Sequence, residues 1–253
     1  MLEKVFHLGI SKEDLKGATI AIISGDPNRV DRIAKELSAP VQLAKSREFN
    51  VYLCYLDQTP VAVCSTGIGV PSTTIAVEEL AQCGIDTFLR IGTTGAIQEH
   101  IDVGSMIVTT SSVRLDGVRL HFCPMAFPAV ADFKVATAMQ SAAEMCGIKS
   151  YAGVTASSDT FYLGQERTEK FNDRIRRSLQ NSMQEWREMG VLNFEMESAT
   201  LLAMCASSGF RAGCLAGVIV NRCKTDTPSD SATEQVEQDS IRVIIQSARN
   251  IIT

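Results

Sequence analysis

Apolar runs of strand length alternate with stretches of helical periodicity along most of this chain, and no other feature limits its fold so sharply. A sheet of buried, mainly parallel or mixed strands covered by helices is the architecture that such alternation satisfies. Ala18–Ile23 is a continuous apolar run with the character of a buried strand, followed by the turn Ser24-Gly25-Asp26-Pro27. In Asn28–Leu37 the apolar Val30, Ile33, Ala34 and Leu37 share one helical face. Asn50–Leu56 and Pro60–Ser65 read as a hairpin across Asp57-Gln58-Thr59. Pro71–Cys83 is a helix with its proline in the tolerated first turn. Further strands are expected at Thr87–Ile91, Ser105–Thr110, Tyr151–Ala156, Val191–Phe194 and Ala212–Val220. Further helices are expected at Ala129–Cys146, which Gly147 ends, at Gln165–Leu179 as an exposed helix, at Glu197–Ser207, and at Ala232–Ile252.

No repeat, low-complexity tract or linker interrupts this pattern, so residues 1–253 read as one α/β domain. A chain of that length buries about three quarters of its unfolded surface, enough for one large core. The formal charge is −5 and the pI about 5.3, with no block of Lys or Arg, which argues against nucleic-acid or anionic-membrane partners. Any anion bound here must be caught by a local cluster. The eight cysteines show no CxxC spacing and there are only three histidines, so neither a zinc site nor a disulfide framework is indicated. Reduced core thiols, a charged N-terminus and no apolar stretch of about 18 residues together suggest a soluble cytoplasmic protein.

Ligands of such sheets collect at the carboxyl ends of strands. Four exits are polar and mostly glycine-bearing: Ser24–Arg29, Ser65–Gly69, Arg90–Gly95 and Phe194–Ser198. Glycine lets backbone N–H groups approach a ligand, and helix N-termini favour anions. Arg29, Arg47 and Arg90 fall in or beside these segments. Arg90 is the most telling, because it interrupts the apolar run TFLRIG, where a charge is costly without a partner. Each arginine alone has a plainer reading as one half of a structural ion pair. Together they suggest a site for a phosphate-sized anion, although neither a P-loop nor a convincing GxGxxG is present.

The segments GDPNR, STGIGVPSTTIAVEELAQCGIDTFLRIGTTGA, VTASSDTFYLGQER, NFEMESATLLAMCAS and AGVIVNR resemble the bacterial uridine phosphorylases, a branch of the hexameric nucleoside phosphorylases. The likeness is collinear from about Val5 to the C-terminal helix. FEMES is shared by the wider superfamily, whereas GQER and the NR after the last strand point to the uridine branch. A purine-cleaving relative would be expected to place an Asp after that strand, where this chain has Asn221-Arg222. Three departures from the family pattern stand out: Val70 where a second glycine is usual, Ser24 for a proline, and a divergent segment Cys223–Ser231.

The resemblance implies a mixed, partly barrel-like sheet surrounded by helices, the nucleoside phosphorylase fold. The implied reaction turns uridine and inorganic phosphate into uracil and ribose 1-phosphate, in pyrimidine nucleoside salvage or catabolism. On this likeness Gly25, Arg29, Arg90 and Thr93 bind phosphate, with Arg47 supplied by a neighbouring subunit. Glu197, Met196 and Thr93 hold the ribose, and His7 reaches its 5′-hydroxyl across an interface. Gln165 and Arg167 read the uracil edge, Arg222 backs them, and Phe161 stacks on the base; Arg90, Glu197, Gln165 and Arg167 carry the catalysis. Plainer readings exist for most of these: a core methionine, a core aromatic, a solvated helix start at Gln165, a surface histidine. The likeness implies no organic cofactor, with phosphate as co-substrate. It also implies a structural monovalent cation, potassium-like, at a subunit interface on Glu48, the Ile68 carbonyl and Ser72, all hard oxygen donors. The expected assembly is a homohexamer, a trimer of dimers. Two other functions stay open at this point: a nucleosidase of the same fold, in which water replaces phosphate, and a non-catalytic nucleoside-binding protein.

Overall fold

The structure, a computed structural model, describes residues 4–167 and 175–252. Nine strands are linked into one sheet: β1 (Ile20–Ser24), β2 (Ser38–Ser46), β3 (Phe49–Leu56), β4 (Thr59–Ser65), β5 (Thr87–Ala96), β6 (Met106–Leu115), β7 (Ser150–Ser158), β8 (Asn193–Glu195) and β9 (Arg211–Asn221). Their order is β2-β3-β4-β1-β5-β8-β7-β6-β9, and β9 pairs again with β5. The last five strands therefore close into a ring, the barrel-like part of a mixed sheet, and β4 and β1 lead outward from it to the β2–β3 hairpin. The α-helices are α1 (Pro27–Glu36), α2 (Val70–Gln82), α3 (Phe133–Met145), α4 (Ser182–Glu188), α5 (Ser198–Ser207) and α6 (Asp230–Ile252).

Burial on both faces explains why the strands are continuous apolar runs rather than alternating ones. In β1, Ala21 and Ile23 pack with residues of α2 and α5. Ile20 and Ile22 face the opposite way, into a core shared with α1, α3 and α6. Residues of period two along one strand thus serve two helical layers. Cysteines fill small gaps in these cores: burial pushes the Cys54 and Cys205 thiols up to about 12, far from a reactive range.

Several boundaries differ from expectation. β2 has no counterpart in the sequence reading, because it is a largely exposed edge strand carrying Pro40 and lacking an apolar face. β5 runs on through Gly92, Thr93, Thr94 and Gly95 to Ala96, so these residues are part of a strand and not a loop leaving one. The helix expected from Ala129 starts at Phe133, where Asp132 caps it by accepting from the Val135 amide at 3.0 Å. The exposed helix expected over Gln165–Leu179 is not seen at its described ends: Gln165 and Glu166 form a turn, and Arg177–Leu179 is a single 3-10 turn. Residues 168–174 of that expectation lie outside the described residues. Among the described residues, no helix is long and apolar enough to cross a membrane.

Candidate active site

Parallel pairing brings the polar strand ends into one row. Ser24 of β1 lies opposite Ser65 of β4 and opposite Ile91 of β5, so Gly25, Thr66 and Gly92 emerge side by side. The Thr66 amide donates to the Ser24 carbonyl at 2.8 Å, extending that row one residue past the strands. Asp26 caps α1 through the Asn28 amide (2.8 Å), which sets Arg29 in the first turn of the helix. These segments, with β8, the start of α5 and residues 226–228, wall a cavity of about 560 Å³.

Arg90 lies on this cavity and is only 6% exposed. Its neighbours on β5, Leu89 and Ile91, point into the α1/α3/α6 core, so Arg90 projects to the other face, towards the start of α5. There it pairs with Glu197, and its second terminal nitrogen is 3.5 Å from Glu195. A Cβ on Gly92 would sit 2.7 Å from that nitrogen, so glycine at the next same-face position is what leaves room for the guanidinium. Burial alone would lower the Arg90 pKa, but the carboxylates of Glu197 and Glu195 outweigh it and hold the side chain charged. Its buried Nε has no hydrogen-bond partner among the described residues.

Glu195 and Glu197 divide the work at the N-terminus of α5. Glu195 accepts from the amides of Glu197 (2.9 Å) and Ser198 (2.9 and 3.0 Å) and from the Ser198 hydroxyl (2.6 Å), satisfying the helix start from three positions upstream. Glu197 is left free of capping duty. One of its oxygens accepts from the Gly69 amide at 2.7 Å and the other meets Arg90. Burial is the largest influence on Glu197 and raises its pKa above the ordinary carboxylate range, against the pull of Arg90 and with help from the Glu195 charge.

Arg29 is equally buried and donates to the Ser24 hydroxyl (3.2 Å) and to Glu237 of α6 (2.6 Å). At another part of the lining, the Arg167 guanidinium lies 3.8 Å over the Phe161 ring, and its Nη2 is 3.4 Å from the side-chain amide oxygen of Gln165. Gln165 is 1% exposed, so it is not the solvated helix start that its local sequence suggests. Arg222 stands behind the lining. It is held by Asp226 (2.6 Å) and reaches the Glu166 carbonyl (3.5 Å), with its stem against the bare face of Gly95. Asn221 ties down a loop, donating to the carbonyls of Gln98 (3.0 Å) and Ile101 (2.7 Å).

Of the residues proposed from sequence, Gly25, Arg29, Ile68, Arg90, Thr93, Phe161, Gln165, Arg167, Met196 and Glu197 line the one cavity. Arg47 and His7 do not line it in their own chain. Arg47 is exposed at the β2–β3 turn with φ +53°, and the His7 Nδ1 is bound to Glu79 at 2.7 Å. Glu48 and Ser72 touch, the hydroxyl donating to the carboxylate at 2.7 Å and thereby holding the Glu48 pKa low. Val70 does not reshape its loop: Gly69 supplies the positive φ (+94°), and Val70 opens α2, fully buried. Asp226, Thr227, Pro228 and Glu237 were not found by sequence reasoning: the first three fall in the divergent segment Cys223–Ser231, and the partners of Glu237, Arg29 and Arg32, lie far away along the chain.

The sequence pattern of the phosphorylase superfamily matches residues 19–252. The chain is 58% identical to uridine phosphorylase of Escherichia coli (strain K12) over 248 residues, 98% of each protein. It is 51% identical over 249 residues to uridine phosphorylase of Haemophilus influenzae, covering 98% of this chain and 99% of that one. It is 35% identical over 250 residues to guanosine phosphorylase of Halorubrum lacusprofundi, covering 98% of this chain and 97% of that one. A collinear match over nearly the whole chain, joined to a closed five-strand ring with its polar strand ends on one cavity, shows that the chain belongs to the phosphorylase superfamily.

Proposed function

We propose that this chain is a pentosyltransferase that cleaves uridine with inorganic phosphate, giving uracil and ribose 1-phosphate. The observation that carries this reading is a buried cation, Arg90, set directly against a buried carboxylate, Glu197, on the wall of a nucleoside-sized cavity. A guanidinium beside Thr93, Gly25 and a second buried guanidinium, Arg29, suits the paired hydrogen bonds of a phosphate. Glu197 then accepts from the ribose 2′- and 3′-hydroxyls beside the anion, with Met196 under the sugar. As the C1′–N1 bond stretches, charge spreads over an oxocarbenium-like sugar, the same kind of centre that glycosidases stabilise. Phosphate approaches one face of that centre while uracil leaves from the other, taking the bond's electron pair. Gln165 and Arg167 meet the leaving base, an amide matching O2 and N3–H and a cation offsetting the developing negative charge. Phe161 offers the base the ring face that Arg167 leaves uncovered.

The higher identity to the uridine phosphorylases than to the guanosine phosphorylase supports a pyrimidine, as does an amide in place of an acid at Asn221. Phosphate, the nucleoside and further copies of this chain are the partners of this reading; an organic cofactor has no part in it. Glu48 and Ser72, already in contact, and the neighbouring Ile68 carbonyl offer hard oxygens that fit a monovalent cation, whose part would be to tie two subunits together. The hexamer, the cytoplasmic location and the salvage role belong to the same proposal.

Uracil release from uridine with and without phosphate tests the assignment. Cleavage should stop when phosphate is omitted, and Arg90→Ala should lose about 10²–10³-fold in rate, as for removal of one preorganised donor. Equal rates in phosphate-free buffer would place the chain with nucleosidases, and no cleavage in either buffer with a non-catalytic binder.

A further inference from the structure

Arg29 reaches the cavity from the first turn of α1, but what fixes its head is a residue of the last helix. Glu237 of α6 accepts from Arg29 at 2.6 Å with one oxygen and from Arg32, one turn along α1, with the other. Glu237 is itself held in place. Val236 and Ser240, on either side of it in sequence, seat α6 directly on β9 at Gly217, where a Cβ would meet Val236 Cγ1 at 2.4 Å and Ser240 Oγ at 2.5 Å. The carboxylate therefore stands on a rigid support, and both its oxygens are occupied.

The charge balance of the cavity gives this contact its meaning. Arg90 faces two carboxylates, Glu195 and Glu197, and that group carries no surplus of positive charge. Arg29, Glu237 and Arg32 set two guanidiniums against one carboxylate, a surplus of one. Of these two groups, the Arg29 side is the one that offers an entering anion a surplus of positive charge; Arg167 adds a cation elsewhere on the lining, and Asp26 turns its carboxylate to the Asn28 amide. Arg32 offsets Glu237, so the carboxylate can orient Arg29 without cancelling it. The Ser24 hydroxyl takes a second guanidinium nitrogen at 3.2 Å, and the buried Nε has no partner among the described residues.

We infer that Glu237 is a positioning residue for phosphate, acting through Arg29: it locks the guanidinium in its anion-binding orientation and links the seat of α6 to that step. This role rests on Arg29 being a phosphate ligand, and the two ideas can fail separately. A mere counter-charge would have the opposite sign, since deleting a carboxylate near an anion site strengthens anion binding.

Inorganic phosphate is titrated calorimetrically into the full-length protein and into Glu237→Ala, Glu237→Gln and Asp239→Ala. Asp239 pairs with Arg242 (2.9 Å) on the same helix and controls for losing an ion pair there. Glu237→Ala should weaken phosphate by about tenfold, the low end for one charge-assisted hydrogen bond. Glu237→Gln, keeping one acceptor, should fall between, and Asp239→Ala should match the parent. Steady-state assays should show the same rise in KM for phosphate with the KM for uridine unchanged. Unchanged or tighter phosphate binding in Glu237→Gln or Glu237→Ala, or an equal rise in both KM values, overturns the role. Should the alanine variant not fold, Glu237→Gln decides by the same criterion. A parent protein that binds no phosphate removes the phosphate reading itself, and this role with it.

Discussion

Arg90 and Glu197 each occupy a position that is costly for a charge, and each makes the other tolerable there. Arg90 was legible in the sequence because it breaks an apolar run, whereas Glu197 stood out only through its place in a polar strand exit. Glu237 was not legible at all: in the polar first half of α6 it looks like any surface carboxylate, and its partner Arg29 is 208 residues away. The Glu197 carboxyl titrates above the ordinary value of about 4.3 because burial penalises its charged form. If the ionised form accepts the ribose hydroxyls, kcat/KM for uridine must fall as pH drops through that raised value. The protonated carboxyl has lost an acceptor and no longer pairs with Arg90. A pH profile of kcat/KM should show an acidic limb displaced upward from the usual carboxylate range. Glu197→Gln should abolish that limb together with most of the activity. A limb that persists in Glu197→Gln assigns it to another group.

At the scale of elements, the strands and helices that were foreseen are those with both a period and a bounding residue. β1, β4 and α2 each combine an apolar pattern with a glycine or proline stop. β2 failed because an exposed edge strand buries no stripe for periodicity to report. The continuation of β5 failed because Gly-Thr-Thr-Gly carries the composition of a loop. There the glycines are not turn-formers but spaces, one for the Arg90 head and one for the Arg222 stem. Gly217 belongs to the same class. Its backbone is not in the left-handed region, so any cost of a side chain there comes from contact with α6 and not from strain. Gly217→Val should therefore overpack the β9–α6 seam and destabilise the protein by about 1–3 kcal/mol. It should also raise the KM for phosphate, because the helix that moves carries Glu237. Denaturant midpoints and phosphate kinetics on this variant check both halves. A stable Gly217→Val protein with ordinary phosphate kinetics would show that the seam is slack.

For the whole molecule, the proposed site is one that two copies of the chain share. Arg47 and His7 lie away from their own cavity, and Phe6 and Ile68 stand 86% and 76% exposed, large apolar side chains of the kind that subunit interfaces cover. His7 is held in one orientation by its own chain. Glu79 fixes it through the amides of His7 (2.9 and 3.0 Å) and Leu8 (2.7 Å) and through Nδ1, which leaves Nε2 as the ring atom that can meet a hydroxyl. The proposed oligomer would carry Arg47 and His7 of one copy into the cavity of the next. Subunit mixing tests that sharing. Arg47→Ala and Glu197→Ala should each be inactive, for opposite reasons: one spoils the site of its neighbour and the other its own. In oligomers reassembled from both variants, some cavities combine an intact Glu197 with an intact Arg47 from the adjoining copy. Partial activity should then return, in proportion to the mixed interfaces. Mixed oligomers as inactive as either variant, with subunit exchange demonstrated by mass, would show that each chain builds its site alone.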